Sequence, residues 1–123
     1  MTLAWEQLVI DADDPDALAR WWAVALGWTE IIVDQDGDVE IRSGPDRFPG
    51  ILFQHVPDPK TVKNRFHLDF RPDDRDAEVE RLVALGATHV DIGQGTPSWV
   101  VLADPEGNEF CVLRSAEEGA ATS

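Results

Sequence analysis

The chain has 123 residues, 43% of them hydrophobic, which is the size of one domain able to bury roughly two thirds of its unfolded surface without a disulfide or metal staple. Ten Lys plus Arg stand against 24 Asp plus Glu, and the resulting net charge of −14 argues against a nucleic-acid partner or an anionic lipid surface. A single Cys excludes an internal disulfide, the start MTLAWEQLVI has no signal-peptide pattern, and no apolar run approaches roughly 18 residues, so a cytoplasmic protein with no membrane partner is expected.

In chain order, WEQLVIDA (5–12) reads as a strand with Leu8 and Ile10 on one face and Trp5, Gln7 and Val9 on the other. A helix follows, with Asp14 as its cap, Pro15 in its first position, and Leu18, Trp21, Trp22 and Ala25 at helical spacing up to Gly27. IIVDQDGDVEI (31–41) reads as two strands joined through an Asp-Gly turn, and PGILFQHV (49–56) as a fourth strand. PDPKTVKNR (57–65) has the composition of a linker.

The same order then returns. RFHLDFR (65–71) alternates strictly, with Phe66, Leu68 and Phe70 on one face and Arg65, His67, Asp69 and Arg71 on the other. Asp73, Asp74 and Asp76 crowd the start of a second helix, whose expected apolar stripe is Val79, Leu82 and Val83 before Gly86. ATHVDI, PSWVVLAD and NEFCVL supply three more strands, and residues 115–123 are expected to form a disordered tail.

Strand, helix and three strands are thus written twice, in modules spanning residues 3–58 and 64–114 of a single domain covering 1–123. ALGW (25–28) matches ALGA (84–87), and PGILFQ (49–54) matches EGNEFC (106–111). By this self-alignment Gln7 corresponds to His67 and Gln54 to Cys111. The expected fold class is α+β: two βαβββ modules in a pseudo-twofold arrangement, forming a curved mixed-sheet cup with the helices outside and those four residues facing the cup.

DPDALARWWAVALGW, KNRFHLDF and VLADPEGNEFCVL carry a resemblance to the vicinal oxygen chelate superfamily, which includes glyoxalase I, bleomycin-resistance proteins, extradiol dioxygenases and methylmalonyl-CoA epimerase. The resemblance covers residues 3–114 and is strongest to small glyoxalase-like proteins; it implies the glyoxalase/bleomycin resistance/dioxygenase fold and, commonly, a homodimer. Metal-dependent members carry a Gln or His, a Glu, a His and a Glu, which the resemblance places at Gln7, Gln54, His67 and Cys111. Both carboxylates are then replaced. Amide oxygens neither neutralise a divalent ion nor shuttle a proton, so no cofactor is expected, with a divalent metal as the alternative.

Cys111 shares the cup face with Glu109 and Leu113, as a small buried hydrophobe or as a nucleophile or ligand; a register slip of two would put Glu109 in the ligand position. His67 is either a hydrogen-bonded structural residue or a functional one. Asp69 shares its face as a base or as a partner of Arg65 or Arg71. Arg65 would hold an anionic group at the mouth or form a surface salt bridge. The candidate catalytic residues are thus His67, Asp69 and Glu109. Trp5 and Trp99 are candidate lining residues, Trp21 and Trp22 core, His55 points away, His89 has no assigned partner, and Asp104, Pro105 and Gly107 form a turn. Two functions follow: a metal-free protein that encloses a small organic molecule, or a metal-dependent lyase, isomerase or dioxygenase.

Overall fold

The computed structural model describes residues 3–62, 64–90 and 99–115. They divide into two compact units, Met1–Pro59 and Lys60–Ser123. The first holds β1 (Gln7–Ala12), α1 (Pro15–Leu26), β2 (Glu30–Val33), β3 (Val39–Arg42) and β4 (Gly50–His55). The second holds β5 (Leu68–Phe70), α2 (Arg75–Leu85), β6 (Thr88–His89), β7 (Val100–Ala103) and β8 (Glu109–Val112). Each unit is therefore a βαβββ module, and the α+β class read from the pattern is the observed one.

Both sheets have the same order, β1-β4-β3-β2 and β5-β8-β7-β6, with the first and last strand of each module pairing in parallel and the rest antiparallel. The helix lies between the two parallel strands in sequence, as a parallel connection requires.

Local chemistry starts and stops the helices. Asp14 accepts the Ala17 N–H and Asp74 the Ala77 N–H, each at 3.1 Å, and Pro15 occupies the first turn of α1 where its missing N–H costs nothing. The ALGW and ALGA repeat has a physical meaning at the other end. Gly27 takes φ 70°, and the Trp28 N–H returns to the Ala23 carbonyl at 2.9 Å; after α2 the Ala87 N–H returns to Leu82 at 2.9 Å in the same way.

The two helices differ in what they bury. Leu18, Ala19, Trp22 and Ala23 of α1 are buried against β3 and β4, over the face carrying Val39, Ile41, Ile51 and Phe53. In α2 only Leu82 is buried. The expected stripe of Val79, Leu82 and Val83 is thus a single line of contact, because five charged residues, Arg75, Asp76, Glu78, Glu80 and Arg81, share this helix of 11 residues. Val79 and Val83 instead border a shallow groove with Asp76, Glu80 and His89.

The strand expected over 65–71 is also shorter, covering only Leu68–Phe70, and Phe66 is 92% exposed, whereas Leu68 and Phe70, on the face expected for it, are half-buried. Its approach is held by side chains instead of ladder bonds: the Asn64 N–H donates to Glu109 Oε2 at 3.1 Å, and Asn64 Nδ2 to the Glu109 carbonyl at 3.3 Å. Asp91 and Ile92, the end of the expected ATHVDI strand, and Pro97 and Ser98, the start of PSWVVLAD, lie outside the described residues, as does 116–123 of the expected tail.

Candidate functional site

Alternation along paired strands decides which side chains share a face. In the first unit Leu8, Ile10, Ile51 and Phe53 face α1, and Gln7, Val9, Glu40, Arg42, Leu52 and Gln54 occupy the opposite face. Gln7 pairs with Gly50 and Gln54 with Asp11, so the two amides stand four residues apart, roughly 13 Å along the strands, too far for direct contact.

The ladders also correct the self-alignment. β1 and β4 pair with a sequence separation of 43 (Gln7 with Gly50), and β5 and β8 with 42 (Leu68 with Phe110). If Gln7 matches His67, the counterpart of Cys111 is Leu52, and Gln54 matches Leu113, two residues further along the same face. The motif comparison of PGILFQ with EGNEFC missed this because loops absorb the difference in offset.

Between them the same face carries a pair that sequence reasoning missed. Arg42 Nη2 donates to Glu40 Oε1 at 2.9 Å, and both side chains are largely buried. Glu40 Oε2 and Arg42 Nε have no hydrogen-bond partner among the described residues. A Cβ at Gly50 would lie 2.4 Å from Glu40 Oε2, so the absence of a side chain there makes room for the carboxylate. The signal was present in VEIR, where opposite charges two apart share a strand face.

The second unit gathers three of the candidates. Asp69 pairs directly with Cys111 across the β5–β8 ladder, and His67, just before the strand, brings its ring against both. His67 Nδ1 is 3.2 Å from Asp69 Oδ1 and 3.8 Å from Cys111 Sγ. Cys111 is buried, whereas the His67 and Asp69 side chains are about half exposed. One ring nitrogen thus serves two neighbours: protonated, it donates to the carboxylate; bare, it accepts from the thiol. A hydrolase-type relay would place thiol and carboxylate on opposite ring nitrogens, which this arrangement does not.

Glu109, the other candidate base or ligand, is fully engaged. Its Oε1 accepts from Lys60 Nζ at 2.8 Å and its Oε2 from the Asn64 N–H. Lys60 Nζ also donates to the Val62 carbonyl. Partial burial pushes the Glu109 carboxyl upward, but the hydrogen bonds from Lys60 and the backbone outweigh it and hold the group below the ordinary carboxylate range. The segment read as a linker is therefore a strap fastened to β8.

The remaining candidates disperse. Trp5 is 64% exposed and donates its indole N–H to the Gln7 carbonyl at 3.2 Å; Trp99 is half-buried just before β7, and Arg65 is exposed. His55 is exposed at the end of β4, its backbone N–H bound to Asp38 Oδ1 at 3.1 Å. Asp104 is structural, as its turn chemistry predicts: its carboxylate accepts from the backbone N–H groups of Glu106 and Asn108, and its carbonyl from Gly107 at 2.9 Å.

The comparisons with known proteins agree with this architecture. The Mycobacterium tuberculosis protein named "Putative glyoxylase CFP32" is 30% identical over 124 residues, which cover 95% of this chain and 45% of that protein; the chain thus spans about half of its curated relative. A glyoxalase/bleomycin resistance protein/dioxygenase family enzyme from Burkholderia phytofirmans PsJN aligns with a TM-score of 0.67 at 22% identity, over 87% of this chain and 94% of that one. The fosfomycin resistance protein FosX from Mesorhizobium loti aligns at 0.69 and 14% identity over 100% of both chains. At these identities the two structures speak for the fold. The glyoxalase-like domain family matches residues 7–113, and with both βαβββ modules inside that span the chain belongs to this family and to the vicinal oxygen chelate superfamily.

Proposed function

We propose that this chain binds a small organic molecule, with Gln7 of the first unit and His67 of the second as candidate contact residues, and that the superfamily's four-residue metal set is degenerate in it. The observation that carries this reading is the donor chemistry of the first unit. Gln7 pairs with Gly50, the ladder counterpart of Cys111 is Leu52 when Gln7 is matched to His67, and the buried carboxylate on that face, Glu40, is held by Arg42. A few polar groups among Val9, Ile32 and Leu52 suit an organic ligand with a small number of hydrogen-bonding atoms.

A thermal-shift screen of metabolites and drugs on chelator-treated protein tests the reading. The expected result is stabilisation by at least one compound, reduced by both Gln7→Ala and His67→Ala at unchanged melting temperature of the free protein. No response to any compound, or a response indifferent to both variants, argues against it. The same reading takes the protein as a cytoplasmic homodimer, because open sheets leave edge strands to pair; a monomeric mass at micromolar concentration removes the dimer.

A second reading, a metal-dependent lyase, isomerase or dioxygenase, is favoured by one observation: Asp69 supplies, beside His67 and Cys111, a carboxylate absent from the four superfamily positions. Turnover that appears only on metal addition would select it.

A further inference from the structure

We infer that Glu40 and Arg42, in the first module, form a polar subsite for an uncharged group that both donates and accepts a hydrogen bond. A carboxamide or a hydroxyl on an aromatic body has that chemistry. The inference rests on the reading of a protein that binds an organic molecule, and it names what that molecule would bring to the sheet face holding Gln7.

The ion pair is half made. A guanidinium and a carboxylate can join fork to fork, through two parallel hydrogen bonds. Here Arg42 Nη2 donates to Glu40 Oε1 at 2.9 Å, which leaves Glu40 Oε2 without a donor and Arg42 Nε without an acceptor among the described residues. Glu40 is only 9% exposed and both orphan atoms are shielded, so bulk water does not serve them. One acceptor and one donor therefore stand open on a pair whose charges already cancel. A neutral group with a lone pair and an N–H or O–H answers both, whereas a carboxylate would answer only Arg42 and an ammonium only Glu40. An anion is further disfavoured because Glu6 and Asp46 act on the same guanidinium besides Glu40.

The surroundings supply the rest of the subsite. Gly50 is the ladder partner of Gln7, and a Cβ there would lie 2.4 Å from Glu40 Oε2 and 3.2 Å from Arg42 Cγ. The pair is thus folded over bare backbone beside Gln7. Phe48, between β3 and β4, sets its ring centroid 4.5 Å from Arg42 Cζ, yet it is 51% exposed. Such a ring gains cation–π attraction but little burial, so an aromatic ligand can take its place over the guanidinium. Phe48 is the cover of the subsite, and its displacement opens Arg42 Nε and Glu40 Oε2. Val9, Leu52 and Ile32, in line with Glu40 across the sheet, offer apolar contact to the ligand body.

Nitrogen NMR titration of the full chain with four small probes provides the test, read at the Arg42 Nε–H and Gly50 backbone resonances. Benzamide and benzyl alcohol should shift both resonances saturably. Benzoate, which only accepts, and benzylammonium, which only donates, should bind at least about 10-fold more weakly, the scale of one lost hydrogen bond to a charged group. Glu40→Gln should weaken benzamide binding by roughly the same factor. Phe48→Ala, at a half-exposed position, should tighten it, a gain that a purely structural ion pair would not produce. If Glu40→Gln unfolds, the probe series and Phe48→Ala still decide. Equal response to all four probes, an unmoved Arg42 resonance, or benzamide binding indifferent to Phe48→Ala would overturn the inference. A compound from the metabolite screen that stabilises the protein without moving the Arg42 resonance would overturn it and spare the wider reading, whereas silence in both screen and titration would overturn both.

Discussion

The two modules share one strand order and one pair of helix signals, yet they stabilise themselves by different means. In the first, α1 buries five residues and packs over a sheet face of Val39, Ile41, Ile51 and Phe53, and the charged pair Glu40–Arg42 sits on the opposite face. In the second, α2 buries Leu82 alone, while consecutive residues of β7 and β8, Val101 to Ala103 and Phe110 to Val112, are buried on both faces of the sheet. A strap, Lys60 to Asn64, adds polar fastening to β8. A helix that carries little of its module's burial leaves the sheet to hold the fold.

The largest effect should separate the helices. Trp22→Ala empties a nearly fully buried site in α1 and should cost about 3 to 5 kcal/mol in urea denaturation, whereas Val83→Ala, 39% exposed on α2, should cost under about 1 kcal/mol. Equal losses would erase the contrast between the modules.

The strap comes next. Glu109→Gln removes a partly buried charge from Lys60 and should cost about 1 to 3 kcal/mol at pH 7. The folded carboxyl sits below its unfolded value of about 4.3, so its contribution is present above that pH and is lost as pH falls through the folded value. The gap between parent and variant should therefore close in acid. A pH-independent gap would mean that the strap acts by packing.

A smaller effect probes the first module's polar face. Gly50→Ala places a Cβ against the Glu40 carboxylate and should cost about 1 to 2 kcal/mol, and the penalty should shrink when Glu40 is already Ala. Additive losses would show that the glycine serves another purpose. The smallest change is expected at Arg20→Ala, whose 3.0 Å pair with Asp16 is more than half exposed on both sides; melting should report a loss within about 0.5 kcal/mol.

Helix termini were legible because their signals are local: Asp14 with Pro15, Asp74, and the two glycines of ALGW and ALGA act within a few residues. The turn at Asp104 was legible for the same reason. The face shared by Asp69 and Cys111 followed from alternation, and so did the placing of Leu8 and Ile10 on the face opposite Gln7. Phe66 was misplaced because alternation assumes a continuing strand, and the strand begins only at Leu68 once Asn64 has taken over the Glu109 carbonyl.

Sequence by itself thus determined the repeat, the element order, the family and the faces, all consequences of backbone sterics and of periods that a local pattern reveals. Tertiary structure decided the register of each parallel pair, which makes Leu52 rather than Gln54 the counterpart of Cys111 when Gln7 is matched to His67, and puts Asp69 beside the thiol. It also decided that Lys60 and Asn64 engage Glu109 from 49 and 45 residues away. Parallel pairing joins strands separated by a whole helix and two further strands, and the energy that selects one register is summed over all the side chains packed between them, so no short stretch of sequence records it.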